Sequence, residues 1–208
     1  MQSKFRNMGQ TCVCANRIFA QEAVYDDFVS KLASKVMDLK VGNGVEVGVT
    51  QGPLITPEAV DKVERHIADA VGQGARIVVG GGRHALGRSF FQPTLLANVT
   101  TRMLITREET FGPVAPVYRF RDEAEAIELA NATEYGLAAY FYARDLGRVF
   151  RVAEALEYGM VGINTGLVAT AEAPFGGVKE SGIGREGGHY GVEEFTEVKY
   201  LLLAGLDR

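Results

Sequence analysis

Hydrophobic positions along this chain alternate between two spacings, one typical of helices and the other of short strands. Apolar residues three or four positions apart predict amphipathic helices over residues 24–39, 57–71, 122–130 and 145–156. Short apolar runs between them predict strands at residues 17–21, 75–79, 91–99, 113–120, 137–143 and 159–165. Strands that alternate with helices predict an α/β fold, in which helices cover both faces of a twisted, mainly parallel sheet.

Residues at the ends of these segments support the pattern. Thr56 precedes a proline and Asp145 precedes an apolar stripe, so each is expected to cap the helix that follows it. The run 75–79 is expected to be a buried strand. Residues 197–203 alternate into a further apolar strand close to the C-terminus.

Composition narrows the class of protein but not its function. The chain has 208 residues, 47% of them hydrophobic, and a net charge of −4. These values are ordinary for a soluble domain with a sizeable core, and the mixed charges argue against a nucleic-acid partner. No apolar run reaches the length of a membrane span, and the N-terminus lacks the apolar core of a signal peptide. We therefore expect a cytoplasmic protein with no membrane partner.

Candidate chemistry centres on Cys12, which follows a Gly-Gln pair and is expected to lie in the first turn of a helix. Free N–H groups at a helix N-terminus stabilise a thiolate, which attacks carbonyl groups, and also the oxyanion that the attack creates. The alternative is a buried structural cysteine. The two cysteines and three scattered histidines show no metal-ligand spacing, so no metal site is expected.

Three segments, in order, resemble motifs of the aldehyde dehydrogenase superfamily. They are Gly9-Gln10-Thr11-Cys12 with Arg17, then Glu108-Glu109-Thr110-Phe111-Gly112-Pro113, and finally the segment 174–186, which reads Pro-Phe-Gly-Gly-Val-Lys-Glu-Ser-Gly-Ile-Gly-Arg-Glu. The resemblance extends over nearly the whole chain. Within the superfamily, Lys4-Phe5-Arg6-Asn7 and Cys12-Val13-Cys14 look most like succinate-semialdehyde dehydrogenases.

The resemblance implies the following domain organisation. Residues 1–180 would form the catalytic, nucleophile-bearing domain, residues 181–195 a connecting segment and residues 196–208 an oligomerisation strand. The N-terminal half of such an enzyme, with its Rossmann cofactor-binding domain, would lie outside this chain. That half is therefore an expected partner, and the complete enzyme is expected to be a homo-oligomer.

The resemblance also implies roles for several residues. Cys12 would be the nucleophile, Glu109 would bind the ribose of NAD or NADP, Phe111 would pack beside the nicotinamide, and Glu186 would assist proton transfer. Without the motif context, the preferred interpretation would be that Glu109 forms a solvated acidic pair with Glu108 and that Phe111 is a core aromatic residue. The family's general-base glutamate lies in a Glu-Leu-Gly-Gly motif, which this sequence does not contain.

Substrate choice is expected to depend on Arg6, whose guanidinium can hold a carboxylate with two hydrogen bonds. By resemblance, Arg6 would bind the distal carboxylate of a small semialdehyde. A serine that assists in the family is replaced here by Ala169, with Thr170 next to it. Glutarate semialdehyde therefore competes with succinate semialdehyde as the substrate. Cys14 is expected either to form a small-ring disulfide with Cys12 under oxidation or to pack in the pocket wall.

Two functions remain open at this stage. The chain is either the nucleophile-bearing part of an NAD(P)-dependent semialdehyde dehydrogenase, inactive alone, or a truncated module that acts only by association. The exposed apolar C-terminal segment favours a sticky or oligomeric chain in both cases.

Overall fold

The computed structural model describes residues 1–206, and its helices agree closely with the hydrophobic pattern. The helices are α1 (Gln2–Phe5), α2 (Tyr25–Met37), α3 (Pro57–Gly72), α4 (Leu104–Arg107), α5 (Glu123–Asn131) and α6 (Leu146–Ala155). The strands are β1 (Ile18–Gln21), β2 (Arg76–Val79), β3 (Thr94–Ala97), β4 (Val114–Phe120), β5 (Tyr135–Gly136), β6 (Ala138–Phe141), β7 (Met160–Ile163) and β8 (Val178–Lys179). Within residues 1–206, no helix has both the length and the hydropathy needed to cross a bilayer.

The largest sheet has the strand order β1-β4-β3-β2. The β1–β4 and β3–β4 pairs are parallel, whereas β2 runs antiparallel to β3. Strands β6 and β7 form a separate parallel pair, and β5 pairs with β8. The prediction of a mainly parallel sheet in an α/β fold is therefore confirmed, with one antiparallel edge strand.

Residues 76–79 form a strand, as predicted, but the prediction that this strand is buried is wrong. Arg76 and Ile77 are exposed, and the register slips between Ile77 and Val79. Because β2 lies at the edge of the sheet, only one side of it pairs with another strand. An irregular edge strand also offers a poorer template for pairing with another chain.

Helices α2 and α3 cover opposite faces of this sheet, as predicted. Leu95 packs in the cluster formed with α2, whereas its neighbour Leu96 packs in the cluster formed with α3. Both side chains are fully buried, and each contributes roughly 2–3 kcal/mol by leaving water. The two-residue period of the strand thus gives β3 two buried faces.

Polar groups fix the helix ends where the sequence predicts caps. The Thr56 and Asp145 side chains accept hydrogen bonds from the N–H groups of Ala59 and Arg148, at 3.3 and 2.7 Å. Arg17 caps the C-terminal end of α5 by donating to the carbonyl oxygens of Leu129 and Ala130, both at 2.7 Å. Arg17 of the first motif thus has a structural role, because it ties β1 to the C-terminus of α5.

The predicted C-terminal strand is not confirmed. Residues 196–206 form no strand, and the side chains of Val198, Tyr200 and Leu202 are exposed. Residues 207 and 208 of the predicted segment 196–208 lie outside the described residues. A strand requires a partner for its backbone groups, and none of the described strands pairs with this segment.

Candidate active site

Parallel pairing of β1 with β4 brings two distant segments together. The nucleophile loop, residues 6–14, precedes β1, and the Glu109 segment, residues 108–113, precedes β4. Ile18 is opposite Val117 in the register. Because parallel strands begin at the same edge of a sheet, both segments lie at the amino edge of this one.

The nucleophile loop does not contain the helix expected at Cys12. Residues 11–14 form a single turn, closed by a hydrogen bond from the Cys14 N–H to the Thr11 carbonyl at 2.8 Å. The next amide, that of Ala15, donates to Ser3 at 2.6 Å, so the helical pattern stops there. The helix-terminus argument for thiolate stabilisation is therefore wrong for this chain.

Cys12 nevertheless has the exposure that a nucleophile requires. Its side chain is exposed, whereas that of Cys14 is buried, and both thiols are free. Within residues 1–206, the Cys12 N–H donates no hydrogen bond. A free N–H beside the thiol is the donor that an oxyanion on an attacked carbonyl carbon would need.

Tyr140, which the sequence analysis did not single out, stands against this loop. Its hydroxyl donates to the Val13 carbonyl, between the two cysteines, at 2.9 Å. Burial raises the pKa of Tyr140 to about 12, the nearby thiols add to this rise, and Arg6 opposes it. Tyr140 belongs to β6, in a run that reads simply as an apolar strand, so only the folded chain shows its position.

The nucleophile loop and the Glu109 segment touch through their backbones. Three consecutive residues, Asn7, Met8 and Gly9, have positive φ angles of 50°, 60° and 74°. A β-carbon added at Gly9 would overlap the carbonyl group of Gly112. This close approach between the loop and the segment therefore requires glycine at position 9.

A cleft of about 1170 Å³ collects several of the predicted site residues. Cys12, Cys14 and Glu109 line it together with Lys4. Within residues 1–206, the Glu109 carboxylate accepts no hydrogen bond, so it is available to a ligand. Phe111, which follows one residue after the buried Thr110, is 37% exposed and has a positive φ of 49°.

Arg6 lies at a second, smaller pocket. Cys14, Tyr140 and residues 166–168 line this pocket with it. Ala169 and Thr170 come directly after that loop, and both are exposed. The Thr170 hydroxyl donates to the Glu172 carboxylate, so its proton is already engaged.

The structure does not place Glu186 with the other predicted site residues. Its side chain is exposed, and its backbone pairs with that of Phe175. Two other residues of this motif have structural contacts. Arg185 donates to the Gly177 carbonyl at 2.6 Å, and the Lys179 amine donates to the carbonyls of Asn131 and Thr133, both at 3.0 Å.

Comparison with known proteins decides the family. Residues 1–201 match the family model described as "Aldehyde dehydrogenase family". The chain belongs to the aldehyde dehydrogenase family. The fold and the three motifs identified in the sequence agree with this assignment.

Curated aldehyde dehydrogenase relatives resemble the chain throughout its length. It is 62% identical to the 3-sulfolactaldehyde dehydrogenase of Pseudomonas putida, covering 100% of this chain and 43% of the relative. It is 63% identical to the glutarate-semialdehyde dehydrogenase of Pseudomonas aeruginosa, covering 98% and 42%. It is 60% identical to the succinate-semialdehyde dehydrogenase [NADP(+)] of Escherichia coli, also covering 98% and 42%.

Among solved structures, the succinate-semialdehyde dehydrogenase of Burkholderia pseudomallei superposes with a TM-score of 0.94 at 62% identity, covering 96% of this chain and 41% of that one. The chain therefore spans about two fifths of the length of the aldehyde dehydrogenases that it matches.

The residues at the cleft fit part of the dinucleotide cofactor that aldehyde dehydrogenases use. An exposed, unpaired carboxylate such as Glu109 can accept hydrogen bonds from the two hydroxyls of a ribose. Phe111 is not among the residues that line the cleft, but its ring is partly exposed and available for packing against a flat heterocycle. Lys4 adds a buried amine beside Glu109, with no hydrogen-bond partner for its Nζ among residues 1–206.

Replacing Lys4 by methionine should stabilise the isolated chain. Burial lowers the pKa of Lys4 from 10.5 to about 8, although Cys14 and Glu109 oppose the shift. Below pH 8 the buried amine is charged, which costs about 3 kcal/mol of folding free energy. The cost disappears as the pH rises from 8 to above 10.5, so Lys4→Met should gain most at neutral pH. Urea denaturation at pH 7 and at pH 10 measures the gain in unfolding free energy at each pH.

Lys35→Met, on the exposed last turn of α2, is the matched control and should change stability by less than about 0.5 kcal/mol. Equal effects of the two substitutions would contradict the assignment of a buried, unpaired amine at Lys4.

Proposed function

We propose that this chain supplies the nucleophile-bearing part of an NAD(P)-dependent semialdehyde dehydrogenase. One observation supports the proposal most strongly. The exposed thiol of Cys12 shares a cleft with the free carboxylate of Glu109 in a chain that belongs to the aldehyde dehydrogenase family. Oxidation of a covalently bound aldehyde needs a nucleophile for the aldehyde and a group that holds the cofactor beside it. Cys12 and Glu109 provide these two groups in one cleft.

The reaction begins at the Cys12 sulfur. The thiolate forms a bond to the aldehyde carbon, the carbonyl π electrons move to oxygen, and the Cys12 N–H stabilises the resulting oxyanion. When bound, the cofactor would supply the hydride acceptor, and Cys12 would then hold the acyl group as a thioester. Water then adds to the thioester, the C–S bond breaks, and the thiolate is restored. The balance is aldehyde, NAD(P)⁺ and water giving carboxylate, NAD(P)H and two protons.

Hydrolysis of the thioester needs a base close to Cys12. Glu186 is exposed and does not line the cleft, so it can assist this step only from outside the cleft described here. The sequence contains no Glu-Leu-Gly-Gly motif. We therefore propose that turnover also requires residues outside these 208, together with a Rossmann portion that binds the rest of the cofactor.

The proposed substrate is a small aldehyde with a distal anionic group, with succinate semialdehyde first. Arg6 lines the smaller pocket, whose wall includes Cys14 of the main cleft, and it carries the positive charge that such a group requires. Ala169 provides no hydroxyl, and the Thr170 hydroxyl donates to Glu172. This loop therefore offers the substrate one hydrogen bond fewer than a loop with serine at position 169 would. Glutarate semialdehyde is the principal competing substrate.

Replacing Arg6 by methionine should raise the KM for succinate semialdehyde about 10- to 100-fold, because a charge-assisted hydrogen bond is lost. The KM for butanal, which lacks the carboxylate, should stay within about twofold, because butanal makes no carboxylate contact with Arg6 that the substitution could remove. Steady-state kinetics with both aldehydes measures the difference. Arg102→Met, at an exposed position, is the control. Equal losses with both aldehydes would contradict carboxylate binding by Arg6.

The proposed function itself is tested by NAD⁺ and NADP⁺ reduction with succinate and glutarate semialdehydes. The chain is assayed alone and after fusion to the remaining portion of the E. coli relative. We expect activity in the fusion and little or none in the chain alone. The faster aldehyde then identifies the preferred substrate. A folded fusion that reduces neither cofactor with either aldehyde would overturn the proposal.

The second candidate, a non-catalytic association module, is favoured by the exposed apolar surface. Leu146 and Phe150 of α6 are 68% and 60% exposed, and Val198 and Leu202 near the C-terminus are also exposed. Patches of this kind mark interfaces. Size-exclusion chromatography of the chain alone should show oligomers or aggregates, whereas a clean monomer would contradict this expectation.

The domain division also remains a proposal: residues 1–180 for catalysis, 181–195 as a connection and 196–208 for oligomerisation in the complete enzyme. We further propose a cytoplasmic location. Two free thiols that lie two residues apart in the chain would be oxidised readily in a secretory compartment.

A further inference from the structure

We propose that His66 is a positioning residue that fixes the cofactor-binding segment around Glu109. His66 lies on α3, fully buried, and its chemistry takes no part in the reaction described above. This inference rests on the proposed function, because it takes Glu109 and Phe111 as the cofactor contacts. Its basis is a set of contacts between α3 and the residues on both sides of Glu109.

The imidazole of His66 joins both neighbours of Glu109. Its Nδ1 lies 3.0 Å from the Thr110 hydroxyl oxygen, and its Nε2 lies 3.2 Å from Oε2 of Glu108. A carboxylate only accepts, so Nε2–H donates to Glu108, and Nδ1 of the neutral ring accepts from the Thr110 hydroxyl. One side chain therefore fixes residue 108 and residue 110, whereas the carboxylate of Glu109 between them remains free.

The groups around His66 keep this arrangement at neutral pH. Burial lowers the pKa of His66, and the positive charges of Lys62 and Arg65 act in the same direction, whereas Glu108 opposes them. Arg65 also donates to Oε2 of Glu108, at 3.0 Å. In the neutral imidazole, Nδ1 accepts from Thr110, and the lowered pKa keeps the ring in this form at pH values where an exposed histidine is already protonated.

Two further contacts hold the same segment from α3 and from the nucleophile loop. A β-carbon at Gly112 would lie 2.6 Å from Cγ2 of Val63, so the backbone there rests directly on α3. On its other side, Gly112 approaches Gly9. Phe111 keeps its positive φ between these fixed points, although this conformation costs an aromatic residue about 1–2 kcal/mol. The segment is thus held at residues 108, 110 and 112, and the cofactor contacts, Glu109 and Phe111, are the residues between them.

Kinetics of the completed fusion enzyme test the inference with four variants. His66→Leu removes both hydrogen bonds, Thr110→Val removes one, and His66→Gln keeps an N–H that can reach Glu108. His84→Leu, in a turn outside the cleft, is the control. We expect His66→Leu to raise the KM for the nicotinamide cofactor at least about tenfold, with a smaller rise for Thr110→Val and substantial recovery in His66→Gln. The semialdehyde KM and the rate of Cys12 alkylation should stay within about twofold of the unsubstituted enzyme.

Backbone amide spectra of the folded fusion protein separate this inference from the proposed function. In His66→Leu, the amide signals of Glu109 and Phe111 should shift and exchange faster, while those of Thr11 and Cys12 stay in place. If the fusion has no activity, the proposed function fails, but the amide signals still decide whether His66 fixes the segment. Unchanged signals at 109 and 111, an unchanged cofactor KM, or equal losses in cofactor and aldehyde KM would overturn the inference. If His66→Leu does not fold, Thr110→Val and His66→Gln decide it by the same measurements.

Discussion

Replacing Cys12 by alanine should reduce aldehyde-dependent NAD(P)⁺ reduction by at least about 10³-fold, the scale of loss when a covalent nucleophile is removed. The reason is that Cys12 is the one exposed thiol among residues 1–206, and a thiolate is the strongest nucleophile that the cleft can offer. Cys14 is buried, and Tyr140 donates to the Val13 carbonyl. The measurement is the initial rate of NAD(P)H formation by the completed enzyme, together with thiol titration of the chain.

Cys14→Ala is the matched control, two residues away on the same turn. It removes a buried thiol that makes only a long contact, 3.7 Å, with the Arg6 carbonyl. It should keep at least about a tenth of the activity, because it alters packing and not the attacking atom. If Cys12→Ala kept its activity and Cys14→Ala lost it, Cys14 would be the nucleophile and the assignment of Cys12 would be contradicted.

The second large effect is expected at Gly9, where alanine should destabilise the chain by about 3 kcal/mol or more and abolish activity. Two costs combine. The positive φ of 74° disfavours a β-carbon, and that carbon would overlap the Gly112 carbonyl group. Relief of the overlap requires the nucleophile loop and the Glu109 segment to separate, which moves Cys12 away from Glu109. Urea denaturation measures the loss of stability, and the initial rate of NAD(P)H formation by the completed enzyme measures the loss of activity.

Gly87→Ala separates the conformational cost from the overlap. Gly87 has a similar φ of 69°, but a β-carbon there would meet nothing within 4 Å. It should therefore show only the conformational penalty, about 1 kcal/mol, and leave the kinetics unchanged. If the two glycine substitutions cost the same, the contact between Gly9 and Gly112 contributes nothing, and the close approach of the two segments loses its support.

Much of the fold follows from local chemistry in the sequence. Thr56 and Asp145 cap helices as predicted, because a side-chain acceptor beside the first turn satisfies amide groups without help from distant residues. The spacing of apolar residues also locates α2 and α3 on the sheet. The prediction that strand 75–79 is buried was wrong, because the hydrophobicity of a strand does not show whether its neighbours cover it.

The site was less predictable, because its contacts join residues far apart in the chain. The motifs identify Cys12 and Glu109 by resemblance, but only the register of β1 with β4 brings their segments to one edge of the sheet. His66 reads as one more position beside an apolar stripe, and its partners lie more than forty residues away. The turn at Cys12 also depends on a distant bond, from Ala15 to Ser3, which ends the expected helix.

The backbone contact between Gly9 and Gly112 also limits how the spacing of this site can change over time. Neither glycine has a side chain whose size could be adjusted by gradual substitution, so the distance between thiol and carboxylate is set by loop length and strand register. Descendants of this chain can exchange Arg6, Ala169 or Thr170 and acquire new aldehydes while the reacting groups keep their separation. As long as both glycines are kept, insertions or deletions before β1 or β4 are the changes that would alter that separation, and they would alter it for every substrate at once.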